Sequence, residues 1–224
     1  MRYQAALRPD FLIINDIPGT PAPLTRTPYP SKPRAHAIIS LEVMASSRYA
    51  LVTYVRTPVG EFVENLRKEL HPTMPHMPAH LTVLPPRELT GTEADALRFL
   101  EDACSHVIPF DVELGDVETF LPTTPTVFIQ VKRAAYRMRE LHDHLSHKML
   151  CCTENWPYIP HLTIVKAERN EDAQAALAIA RQRWQRFPAK RIVPVDELMF
   201  VRETNGQWED RALVPLGRGQ LSSR

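Results

Sequence analysis

One tripeptide occurs twice with the same surroundings, and it constrains the fold more than any other feature of the chain. His80-Leu81-Thr82 follows Met77-Pro78-Ala79, and His161-Leu162-Thr163 follows Tyr158-Ile159-Pro160. Each runs on into apolar residues, Val83-Leu84 and Ile164-Val165. An apolar run of this kind after a proline reads as a strand entering a sheet. Residues two apart on a strand share a face. Each His and Thr therefore project together, while Leu81 and Leu162 point into a core.

The surrounding pattern is duplicated as well. Tyr49 to Val55 is β-branched and aromatic, a strand. Phe62, Val63, Leu66 and Leu70 fall at helical spacing, and the first motif strand follows. Thr92, with Asp95 three residues on, resembles a capping box that opens a helix with Leu97, Leu100 and Ala103. Phe110, Val112 and Leu114 alternate with acidic residues as a strand, with a bulge expected at Gly115. The second pass begins with a strand at Thr126–Val131. It continues with a helix carrying Met138, Leu141, Leu145 and Met149, then the second motif strand. A helix from about Asn170 carries Ala173, Leu177, Ala180 and Trp184. Ile192 to Val201 and Arg211 to Val214 are expected as two closing strands. The order β-α-β-α-β occurs twice, as a duplicated unit would give.

Residues 1–44 differ from the rest. Pro9, Pro18, Pro21, Pro23, Pro28, Pro30 and Pro33 break regular structure. The segment reads as an extended arm, as a disordered tail, or as residues preceding a natural start at Met44. Residues 45–224 form the expected folded domain.

The bulk composition excludes some classes. A formal charge of +1 is not that of a strongly basic nucleic-acid coat protein, though it leaves room for a local basic site. The three cysteines, Cys104, Cys151 and Cys152, form no CxxC pair and read as reduced thiols, which suits a cytoplasmic protein. No apolar run reaches membrane-spanning length, and the first residues do not read as a secretory signal. A monomer with no membrane partner is expected.

Two imidazoles that titrate near neutrality can supply a general base and a general acid. Two hydroxyls beside them can donate to the non-bridging oxygens of a phosphodiester, where charge accumulates. His80, Thr82, His161 and Thr163 are therefore the candidate catalytic residues. Lys166, Tyr158, Trp156 and Arg87 are candidate substrate contacts. Tyr158 and Trp156 could stack on a base or pack into the core, and Arg87 could meet phosphate or stand in a solvated loop. Strict alternation places Lys166 on the face opposite Thr163, so it reaches the groove only if the strand twists or ends there. His142, His144 and His147 read as a solvated helix face, and His71 and His76, in a proline-rich loop, as surface residues or as lining of the groove. No set of side chains reads as a metal site, and no cofactor is expected.

This constellation resembles the two-histidine (2H) phosphoesterase superfamily, and within it the 2′-5′ RNA ligase or RNA 2′,3′-cyclic phosphodiesterase family. The resemblance covers roughly residues 48 to 218 in element order. It implies a bilobal α+β fold with antiparallel sheets forming a central groove. It also implies metal-independent chemistry on 2′,3′-cyclic phosphate ends, with His161 as base and His80 as acid for hydrolysis. Run backwards, the same groups would join a 2′-hydroxyl to a cyclic end. Family members often carry an aromatic residue where this chain has Pro85, and arginine where it has Lys166. Two further readings stand beside an RNA 3′ end as the substrate. One is a small cyclic nucleotide such as ADP-ribose 1″,2″-cyclic phosphate. The other is a catalytically idle RNA-binding module.

Overall fold

Eight strands and four helices make up the described part of the chain. A computed structural model describes residues 47–70 and 77–217. The strands are β1 (Arg48–Tyr54), β2 (His80–Arg87), β3 (Phe110–Thr119), β4 (Thr126–Arg133), β5 (His161–Lys166), β6 (Ile192–Val195), β7 (Glu197–Thr204) and β8 (Gln207–Pro215). The helices are α1 (Pro58–Leu70), α2 (Glu93–Ser105), α3 (Ala135–Leu145) and α4 (Asn170–Gln185). The expectations for residues 1–44, His71 and His76 lie outside the described residues.

Local chemistry explains the helix starts. Pro58 opens α1, where its missing N–H costs nothing. Gly60 is required there, because a Cβ would overlap the Val55 carbonyl oxygen. The expected cap of α2 is present: the Thr92 hydroxyl accepts from the Asp95 amide at 3.1 Å and donates to the Asp95 carboxylate at 2.6 Å.

All strands join one antiparallel sheet in the order β6-β3-β4-β5-β2-β1-β7-β8, which is palindromic about the β5–β2 seam. The α+β class, the duplication and the central groove are as expected. The third strands exchange halves: β3 pairs with β4 in the second half, and β7 pairs with β1 in the first. The expected single strand from Ile192 to Val201 breaks at Asp196. β6 lies against β3 at one edge of the sheet, and β7 lies in the other half. Pro194 lacks a ladder donor and suits that edge position. The helix expected to run to Met149 stops at Leu145, and Lys148–Leu150 forms a separate 3₁₀ turn.

Leu81, Leu162, Leu51, Ile129 and Phe200 belong to one continuous core with residues of the four helices. Each half contributes a helix to the other: α1, from the first unit, packs on β5, and α3, from the second, packs on β2. A smaller cluster of Ala50, Val52 and Val201, with Met199 and Trp208, lies on the other face of the sheet. Among the described residues no helix is long and apolar enough to cross a membrane.

Candidate functional site

The two motif strands meet at the seam through the pair Leu81↔Leu162, both fully buried. Continuing that register sets His80 opposite Thr163 and Thr82 opposite His161, all four on the face away from the core. Directly opposite side chains on an antiparallel pair have Cβ atoms about 5 Å apart, and diagonal ones about 7–8 Å. The two imidazoles occupy a diagonal. That spacing accommodates a tetrahedral phosphorus group between them.

Burial runs through both motif strands in the same order, half-buried, buried, half-buried, buried, buried. The two consecutive buried residues mark a bulge. On β5, Thr163 faces Phe128 but Val165 faces Val127, so Ile164 is an extra residue. On β2, Thr82 faces Val52 but Leu84 faces Leu51, so Val83 is its counterpart. A bulge reverses the alternation beyond it. Lys166, opposite Thr126, therefore returns to the face of Thr163, which strict alternation denied it. Its ammonium acts electrostatically on both imidazoles. Pro85 is the matching position on β2. It and Pro86 are tolerated because the β1–β2 register slips again between Leu84 and Arg87.

Each histidine is held in the same way. Nδ1 of His80 donates to the Pro78 carbonyl at 2.7 Å, and Nδ1 of His161 donates to the Ile159 carbonyl at 2.6 Å. A carbonyl only accepts, so each neutral ring carries its proton on Nδ1 and keeps the lone pair on Nε2. Burial lowers the His80 pKa to about 4. The nearby charges of Arg67, Lys166 and His161 add to this, and the Pro78 bond opposes it. Burial also lowers the His161 pKa; Lys166 adds to the effect and the Ile159 bond opposes it. At neutral pH both imidazoles are neutral, with the two hydroxyls and Lys166 beside them.

The other expected contacts fall in different places. Trp156 is exposed on the approach to β5. The Tyr158 ring stacks on His142 at 4.2 Å between centroids, and its hydroxyl donates to the Thr82 carbonyl at 2.6 Å. Arg87 lies opposite Tyr49 on the helix-covered face and is 4% exposed. Its guanidinium donates to Pro85 O, Ser146 Oγ, Leu150 O and the Glu154 carboxylate. It braces the scaffold and does not line the groove. His142 corrects the expectation of a solvated helix face. It is 6% exposed, with Nδ1 bonded to the Val83 carbonyl at 2.8 Å, whereas His144 and His147 are exposed. Among the described residues no group of three or more His, Cys, Asp or Glu side chains is placed to hold a metal ion.

Three residues of the site were not legible as such. Phe120 and Phe128 stack on each other at 4.1 Å and both flank the His161 ring, at 5.1 and 5.0 Å. Phe120 follows the end of β3, where no periodicity marks it. Arg67 donates to Thr163 O at 2.6 Å and Met77 O at 3.0 Å from a buried position. It did leave a signal: it stands four residues after Val63 on the apolar stripe of α1.

The model of the 2′-5′ RNA ligase superfamily matches residues 55–207. A provisionally named phosphoesterase of Halalkalibacterium halodurans is 23% identical over 171 residues, covering 76% of this chain and 98% of that protein. Among solved structures, TT0787 of Thermus thermophilus is similar at a TM-score of 0.53 and 17% identity, covering 77% of this chain and 99% of that one. Apo LigT of Escherichia coli is similar at 0.51 and 16%, covering 76% and 97%. LigT has also been crystallised with 3′-AMP, ATP and NADP+.

Proposed function

Because the chain belongs to the 2′-5′ RNA ligase superfamily and is a phosphoesterase of that group, we propose that its groove opens 2′,3′-cyclic phosphate ends of RNA. The observation that carries this reading is the diagonal pair of imidazoles on one face of the seam, each with Nδ1 tied to a carbonyl. Residues 45–224 carry the activity.

His161 takes the proton of the attacking water through Nε2, and His80 delivers one to the departing ribose oxygen. Thr82 and Thr163 donate to the non-bridging oxygens, and Lys166 neutralises the anion as a point charge. With a pKa of about 4, His80 needs the substrate's charge to carry the proton it donates. The phosphate's negative charge offsets the surrounding cations and loads the ring, which then gives its proton up readily once the bond begins to break. The reverse reaction, attack of a 2′-hydroxyl on a cyclic end, uses the same groups with their roles exchanged.

A second reading has a specific observation behind it. LigT accommodates single nucleotides, so a small cyclic nucleotide is the alternative substrate for this chain. Incubation in EDTA with 2′,3′-cyclic oligonucleotides and cyclic mononucleotides, followed by ³¹P NMR, separates the cases. Conversion of the cyclic signal to a monoester supports the reading, and the faster set identifies the substrate. Oligonucleotide binding without conversion of any member would identify an idle RNA-binding module.

A further inference from the structure

The seam between the halves is narrow. Among the described residues its backbone pairing is Leu81↔Leu162 alone, whereas β1–β2 and β4–β5 each pair over five positions. Of the side chains that reach across it, two bond the backbone of the motif threonines. Arg67, on α1 of the first unit, donates to the carbonyl of Thr163 in the second. Tyr158, on the approach to the second motif, donates to the carbonyl of Thr82 in the first. Each motif threonine thus has its backbone oxygen held by a donor from the opposite half.

Both donors are themselves held. Arg67 also donates to Met77 O and to Glu64 at 3.1 Å, so one guanidinium ties the approach to His80 to the strand of His161. The Tyr158 ring lies flat on His142, 5° from coplanar. His142 is fixed by Val83 O and lies 3.6 Å from the Glu154 carboxylate, which Arg87 holds. Val83 is the bulge residue beside Thr82. Burial keeps the Tyr158 phenol above its ordinary pKa, so it remains a donor.

We propose that Arg67 and Tyr158 are positioning residues that clasp the two halves across the seam and set the separation of the His80-Thr82 and His161-Thr163 pairs to fit one phosphate. This rests on the phosphoesterase reading above. Neither residue touches the reacting atoms. Their effect is on geometry that matters in the transition state, where small displacements cost on the order of tenfold to a hundredfold in rate.

Tyr158→Phe is the sharpest test, because it keeps the ring stack and removes a single O–H. On a 2′,3′-cyclic nucleotide its kcat falls about tenfold or more while KM stays within about twofold. Amide exchange at Leu81 and Leu162 speeds up, and the ¹³Cε1 titrations of both histidines do not move. Arg67 is tested by a pair of variants. His80 faces Arg67 from α1, Lys166 and His161 from β5, and Tyr54 on β1, whose hydroxyl bonds Asp210. Arg67→Met removes one of these charges, and the His80 titration moves up towards 6.5. Arg67→Lys restores the charge and the titration but not kcat, since an ammonium lacks the planar fork that spans two carbonyls. Wild-type kcat in Tyr158→Phe, or full kcat in Arg67→Lys, overturns the clasp. A wild-type protein inert on every cyclic phosphate, with seam exchange still accelerated in Tyr158→Phe, overturns the function and leaves the clasp standing.

Discussion

Replacing His80 by Asn should make the protein more resistant to acid while removing its activity. Asn keeps an N–H where Nδ1 donates to Pro78 O, but it cannot be protonated. In the native protein His80 titrates at about 4, against 6.5 when unperturbed. Between these pH values the unfolded chain binds a proton that the native state does not. The stability of the wild type therefore falls as pH drops from 6.5 through about 4. A gap of this size corresponds to about 3 kcal/mol, and partial exposure of the ring brings the expected figure to about 2–3 kcal/mol. Other titrating groups are common to both proteins and cancel. Urea unfolding at pH 7, 6, 5 and 4.5 measures the difference in free energy of unfolding between the two proteins. That difference should move in favour of His80→Asn by about 2 kcal/mol or more across the series, with most of the change below pH 6. A difference constant within about 0.5 kcal/mol would mean that His80 is not held neutral by its surroundings, and the electrostatic account of the site would fail.

Four further outcomes follow. The pH profile of kcat/KM should be bell-shaped with its maximum below 6.5, because catalysis needs one neutral and one protonated ring and both free-site values are depressed; a maximum above pH 7.5 would contradict this. Lys166→Ala should raise KM more than it lowers kcat, and an unchanged KM would remove the ammonium from the site. Thr82→Ala and Thr163→Ala should each lower kcat by about 10²–10³-fold, the scale of one lost donor to the developing charge, as read from steady-state kinetics. Turnover should persist in EDTA, measured on the same cyclic substrate; recovery that requires an added divalent ion would count against the two-histidine mechanism.

Much of the site was legible because its code is local. A two-residue period places His80 with Thr82 and His161 with Thr163, whatever the strands pair with. The Thr92–Asp95 cap lies within one turn of helix, and the repeated element order needs no knowledge of contacts. One local signal went unread: Asn205-Gly206, with φ of 54° and 78°, is a hairpin turn that extends the expected Arg211–Val214 strand back to Gln207.

The rest depended on strands distant in sequence. The face of Lys166 is decided by the register of β5 against β4, where Ile164 is extra, and a bulge cannot be read from one strand alone. Asp196 parts β6 from β7 because their partners lie at opposite ends of the sheet. Arg87, His142 and Arg67 are polar residues that become buried because carbonyls and a carboxylate from other elements meet them there, as at Leu150, Val83 and Thr163. The sequence by itself determined which residues could do acid–base chemistry and which face of each strand they share. Only the tertiary structure decided how the two faces meet, because pairing across the seam depends on hydrogen bonds and charges brought together from both halves of the chain.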